Sequence, residues 1–310
     1  MPSSYPFRHL LFAFVLLMSG RLVAQQPACK PSVVGDLRVE KIDSGIFPGP
    51  HTLRVWLPPG YAEPSNAQRS YPVLYMLDGE MLFDTCTNPY HSEWQIDETL
   101  TKLIDEGKVE PLIVVGIDSP GDDDRRANEL LPMADPSSPT LFEPQGTKFP
   151  SFLLHEAMPH IAAEFRVQTG RANTGIGGCS YGGIAALNAL LKLPNLFGIG
   201  LIESPSLHVG NGAFVRETEH LSFTPIRLYI GVGTNETGNF PDMLRKAGYD
   251  PETFNRTFAH NAELLAENFR SSGSSAAIKF VETPGAKHEE AAWRQRFPAA
   301  IEFLFPTRPR

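Results

Sequence analysis

Gly178-Cys179-Ser180-Tyr181-Gly182-Gly183 carries the pattern GxSxG between an apolar run ending near Gly177 and a helical pattern beginning near Gly182. Where a strand turns sharply into a helix, a serine at the turn exposes its Oγ, and flanking glycines give the backbone clearance. Ser180 is therefore a candidate nucleophile for acyl transfer; the alternative is a glycine-rich turn with an inert serine. A helix that begins here also directs backbone N–H groups and the positive end of its dipole at the same spot. This places the Tyr181 amide to meet a developing oxyanion.

A serine hydroxyl needs a base, and histidine titrates in the right range. His288 lies in Gly285-Ala286-Lys287-His288-Glu289 and is the only histidine after residue 260. His155, His160 and His260 fall inside expected helices and read as structural imidazoles. An acid that holds the imidazole tautomer is expected between the two in sequence, after the strand at 226–232. Glu236, in Gly233-Thr234-Asn235-Glu236-Thr237, fits that place; Asp242 and Glu203 are the rivals, and an ordinary surface acid is the bland reading.

The elements that must position these residues alternate. Segments 37–42 and 53–57 read as two antiparallel strands, and 71–77 and 112–117 as strands buried on both faces of a parallel sheet. Strand patterns at 174–177, 198–202, 226–232 and 277–281 alternate with amphipathic helices at 93–106, 149–165, 182–193, 252–269 and 289–304. Pro159 should kink the second of these helices. Strands and helices in alternation imply one α/β domain over residues 25–310, a mostly parallel central sheet with helices on both faces. Residues 118–148 read as a long irregular loop. Because it follows a strand's C-terminal end, it is expected to act as a lid over the site. Arg125 and Arg126 are its arginines. Arg126 is a candidate substrate-binding residue, with pairing to Asp122, Asp123, Asp124 or Glu129 as the alternative.

The 310 residues carry 27 Lys+Arg against 35 Asp+Glu, a net charge of −8 that offers no electrostatic footprint for nucleic acid. Arg8 and His9 precede an apolar run at 10–18 and small residues at 19–24, the pattern of a secretory signal peptide over residues 1–24. Nine apolar residues fall far short of the roughly 20 that cross a bilayer, so no stable membrane anchor is expected. Removing that segment deletes Arg8 and Arg21 and no acid. In an oxidising compartment Cys29 and Cys86 could bridge, and three unpaired thiols are the alternative. No His/Cys/Asp cluster has the spacing of metal ligands, so neither a metal nor an organic cofactor is expected.

Leu57-Pro58-Pro59-Gly60-Tyr61, Tyr71-Pro72-Val73-Leu74-Tyr75-Met76-Leu77-Asp78-Gly79 and Val114-Val115-Gly116-Ile117-Asp118 resemble the putative-esterase (esterase D-like) family. Gly178 to Gly183, Glu203-Ser204-Pro205-Ser206 and His288-Glu289-Glu290-Ala291-Ala292-Trp293 continue the match. The resemblance implies an α/β-hydrolase fold and the Ser180, Glu236, His288 order, although family members often carry Asp where this chain has Glu236. It also implies a second oxyanion donor, the backbone N–H of Glu80. The family includes feruloyl and acetylxylan esterases, siderophore esterases, S-formylglutathione hydrolases and mycolyltransferases. The expectation is thus a secreted or periplasmic serine ester hydrolase, acting through an acyl-enzyme on a small-molecule or glycan-linked ester. The alternatives are an acyltransferase to a sugar hydroxyl and a non-catalytic ligand-binding member of the fold.

Overall fold

Short, apolar, glycine-containing strands dominate the centre of the chain. The computed structural model describes residues 29–121, 123–134, 143–220, 226–238, 240–246, 248–272 and 277–307. The expected leader lies outside the described residues, as do Asp122 and residues 135–142 of the expected lid. The strands are β1 (Asp36–Asp43), β2 (Pro50–Leu57), β3 (Val73–Leu77), β4 (Ile113–Ile117), β5 (Thr174–Cys179), β6 (Ile199–Glu203), β7 (Arg227–Gly233) and β8 (Ala277–Thr283). They form one sheet in the order β1-β2-β4-β3-β5-β6-β7-β8. β1 and β2 are antiparallel to their neighbours, and β3 to β8 are mutually parallel.

The helices are α1 (Ile96–Asp105), α2 (Asp123–Leu130), α3 (Phe149–Phe152), α4 (Met158–Glu164), α5 (Ser180–Lys192), α6 (Ala213–Glu217), α7 (Pro241–Lys246), α8 (Pro251–Ser271) and α9 (Glu290–Leu304). Side chains alternate across the pleat. Val73, Tyr75 and Leu77 join the core under α5 and α8, whereas Leu74 and Met76 join the core under α1 and α9. This is the expected α/β architecture with both faces of the sheet covered.

Two local expectations change. Segment 149–165 is helical from Phe149 to Glu164, as expected, but not uniformly α: a wider, π-type turn at Leu153–Ala157 joins α3 to α4, and Pro159 sits in the first turn of α4. Pro159 has no N–H to donate and its ring crowds the carbonyl of residue 155, so the helix widens before it. The stretch 118–148 is not wholly irregular either, because α2 lies within it. Its Ala127 and Leu130, with Leu131 just beyond, are buried in the core, and α2 packs on α5. Asp123 to Asn128 is so rich in charge that the small apolar face at Ala127, Leu130 and Leu131 gives almost no periodic signal.

Candidate active site

β5 lies between β3 and β6 in the middle of the sheet, and its C-terminal end delivers Ser180. The backbone there is left-handed, with φ +56° at Ser180. A non-glycine residue tolerates that conformation only where its surroundings enforce it. Glycine neighbours make the tight turn possible: a Cβ on Gly178 would stand 2.6 Å from the Gly182 backbone, and one on Gly182 would stand 2.6 Å from Asp78 Oδ2. The segment after β6 then clasps the turn from the other side. Ser180 N–H donates to the Ser204 carbonyl and Ser206 N–H donates to the Ser180 carbonyl, each at 3.2 Å. Ser180 Oγ and Ser206 Oγ share a hydrogen bond at 3.3 Å.

The loops after β7 and β8 bring Glu236 and His288 together. His288 Nδ1 lies 2.7 Å from Glu236 Oε2. The other carboxylate oxygen, Oε1, accepts from Gly233 N–H at 2.5 Å and from Ser204 Oγ at 2.8 Å. Burial by itself would push the Glu236 pKa up, but the hydrogen bond and charge of His288, with the Gly233 and Ser204 donors, outweigh it and hold the carboxyl below its ordinary value. The imidazole is also fixed by rings: Trp293 and Phe258 meet it nearly edge-on, with centroids 5.2 and 5.8 Å away.

Neither rival acid reaches His288. Asp242 is 84% exposed and pairs with Arg245 on α7. Glu203 is buried and accepts from Arg296 Nε at 2.9 Å; burial raises its pKa to about 7 despite the arginine.

Ser204 is a residue that motif reading passed over. Its hydroxyl donates to Glu236 and accepts from Trp293 Nε1 at 3.0 Å and Arg296 Nη2 at 3.3 Å. The signal was present in Glu203-Ser204-Pro205-Ser206, but nothing in a run of small residues tells which hydroxyl holds the acid.

Opposite these residues, the turn after β3 carries Asp78, Gly79 and Glu80. The Glu80 carbonyl accepts from Thr87 Oγ1 at 2.6 Å, and its carboxylate accepts from the Ser119 N–H at 2.9 Å and from the Ser119 hydroxyl. Burial and the nearby Asp78 charge raise the Glu80 pKa. Tyr181 lies in the first turn of α5, at the positive end of the helix dipole.

Arg126 meets none of its expected partners among the described residues. Its Nε and Nη2 donate to Asp78 Oδ1 and Oδ2 at 2.6 and 2.7 Å, while Glu129 lies against His51 at 2.9 Å.

Ser180, His288, Glu80 and Arg126 line one cavity of about 540 Å³. Tyr90, 73% exposed, and Phe240, 53% exposed, also line it. Cys179, beside the serine, is buried, and burial pushes its thiol pKa up, which keeps it protonated.

A family model described as "Putative esterase" matches residues 44–304. The chain belongs to this esterase family. Within it, the chain is 24% identical over 265 residues to the uncharacterized protein YbbA of Bacillus subtilis, covering 83% of this chain and 93% of YbbA. It is 27% identical over 185 residues to the ferri-bacillibactin esterase BesA of Bacillus subtilis, covering 54% of this chain and 60% of BesA. The match thus spans less than two thirds of BesA. Among solved structures, the siderophore hydrolase EstA from Aspergillus nidulans has the same fold, with a TM-score of 0.68 and 23% identity over 95% of this chain and 98% of EstA. The esterase therefore has the α/β-hydrolase fold that its sequence implied. Among the described residues no helix is long and apolar enough to cross a membrane, and no group of His, Cys, Asp and Glu could hold a metal ion.

Proposed function

We propose that this esterase is an exported serine hydrolase that cleaves a carboxylic ester through an acyl-enzyme, with Ser180 as nucleophile. The observation that carries the reading is the 2.7 Å contact of Glu236 with His288 Nδ1, on a histidine that lines the same cavity as Ser180. With Nδ1–H donated to the carboxylate, Nε2 keeps its lone pair for the serine proton. Ser180 Oγ attacks the ester carbonyl while His288 Nε2 takes its proton, and the amides of Glu80 and Tyr181 hold the oxyanion. The C–O bond to the alcohol breaks as His288 returns the proton to the leaving oxygen. Water then attacks the acyl-serine with His288 as base, releasing the acid and restoring Ser180. The seryl hydrogen bond to Ser206 belongs to the resting state and must exchange when substrate arrives.

The substrate class is a small-molecule or glycan-linked ester. BesA is named a ferri-bacillibactin esterase and EstA a siderophore hydrolase, and the exposed rings of Tyr90 and Phe240 suit a flat aromatic or sugar group. Arg126 on the cavity wall can also touch such a group. Export rests on the charged and apolar pattern of residues 8–24.

A fluorophosphonate probe with peptide mapping tests the nucleophile, and p-nitrophenyl acetate tests turnover. We expect the label on Ser180 and a loss of kcat in Ser180→Ala and His288→Ala, each about as severe as in the double variant, because members of one catalytic unit are not additive. A label elsewhere, or roughly a tenth of wild-type turnover left in Ser180→Ala, would overturn the reading.

A further inference from the structure

Asp78 is an unusual residue to find beside an oxyanion site. It is left-handed, with φ +58°, its side chain is only 1% exposed, and its carboxylate lies against the first turn of α5, where a Cβ on Gly182 would approach Oδ2 to 2.6 Å. A buried carboxylate in that place repels the negative charge that develops on the substrate, and a non-glycine residue at positive φ is strained unless its surroundings hold it. Arg126 meets both problems. Its fork donates two parallel hydrogen bonds to Asp78 at 2.6 and 2.7 Å, a geometry that fixes orientation as well as charge. The same guanidinium stands over the Tyr181 ring, 5.5 Å from its centroid. One side chain thus touches the residue before the Gly79-Glu80 turn and the residue whose own amide is the other donor.

We propose that Arg126 is a positioning residue for the oxyanion hole: it locks the Asp78-Gly79-Glu80 turn against Tyr181 and neutralises Asp78 beside the developing charge. The inference rests on the serine-esterase reading above. It also gives Arg126 a purpose that does not depend on substrate identity, since two of its nitrogens are already spent on Asp78.

The test uses p-nitrophenyl acetate and p-nitrophenyl butyrate with Arg126→Met, Arg126→Met/Asp78→Asn, Arg126→Lys and Ser180→Ala. Asparagine keeps the shape of Asp78 and tolerates the left-handed region but carries no charge. Arg126→Met should lower kcat about 100-fold on both esters, the scale of one lost oxyanion donor, with KM within about threefold of wild type. Adding Asp78→Asn should return about tenfold of that loss, because the unpaired carboxylate is gone. If Arg126→Met does not fold by circular dichroism, Arg126→Lys, which keeps the charge and loses the fork, should still cost about tenfold in kcat on both esters. A rise in KM confined to the larger ester with kcat intact would make Arg126 a substrate contact and overturn the proposal, as would the absence of rescue by Asp78→Asn. Turnover in Ser180→Ala would instead defeat the underlying serine mechanism, whereas an inactive Ser180→Ala beside an unimpaired Arg126→Met would overturn the positioning role alone.

Discussion

Glu236→Gln keeps the size of the side chain and changes only what it can accept, which makes it the sharpest perturbation of the site. The carboxylate accepts from Gly233 N–H and Ser204 Oγ at Oε1, at 2.5 and 2.8 Å, and meets His288 Nδ1 at Oε2, at 2.7 Å. Glutamine has one acceptor oxygen to share among them. The Gly233 N–H is a fixed backbone donor, so the amide oxygen takes the Oε1 place; turning the amide around would bury an unsatisfied donor at a cost of about 1–3 kcal/mol. The amide NH₂ then faces Nδ1, the imidazole must present a lone pair there, and its proton moves to Nε2, the atom that has to receive the serine proton. Losing a hydrogen bond to a charged acceptor is worth about 1.5–3 kcal/mol, or roughly 10- to 150-fold at 1.36 kcal/mol per factor of ten. The wrong tautomer carries the total toward the roughly 10⁴-fold seen when the acid of a serine protease is made an amide. We expect kcat on p-nitrophenyl acetate to fall about 10²- to 10⁴-fold with KM nearly unchanged. Asp242→Asn, at an exposed pair on α7, should leave both constants alone. A Glu236→Gln enzyme that folds and retains more than about a tenth of wild-type kcat would refute the assignment of the acid.

Ser204→Ala removes the hydroxyl shared by Glu236, Trp293 and Arg296 and leaves the buried indole N–H without that acceptor. Urea unfolding should show a loss of about 1–3 kcal/mol, with Ser204→Gly less damaging by about 1 kcal/mol because Ser204 has φ +40°. The lowered pKa of Glu236 gives a pH signature: its stabilisation is full above the ordinary carboxylate pKa and is lost as pH falls through the lower folded value. The difference in Tm between wild type and Glu236→Gln should therefore shrink on acidification below about pH 4.5, and a gap that widens there would contradict the direction of the shift. On the signal-peptide reading the mature protein should begin near Gln25; mass spectrometry that finds an intact Met1 end, or a lipid on Cys29, would defeat it.

Much of this site could be read from neighbours in sequence. Ser180 announces itself because the turn needs glycines on both sides of it, and each glycine is forced by a contact that a Cβ would destroy. His288 stands out by its place after the last strand, and Glu236 by its place after β7. The exclusion of Asp242 could not be read that way. Both acids follow the same strand, and only the course of the backbone decides that Glu236 turns inward to Gly233 and His288 while Asp242 faces solvent on α7.

By itself the sequence determined the alternation of strands and helices, the buried strand signature of 73–77 and 113–117, and the sharp turn at Ser180. Each of these follows from sterics and hydrogen bonding among residues a few positions apart. The tertiary structure alone decided which partners meet. Asp78 and Arg126 are 48 residues apart, Ser204 and Trp293 are 89, and Glu236 and His288 are 52. Such pairs exist because the parallel order β4-β3-β5-β6-β7-β8 gathers the C-terminal ends of six strands on one edge of the sheet, and strand order and register are properties of the packed chain rather than of any segment in it.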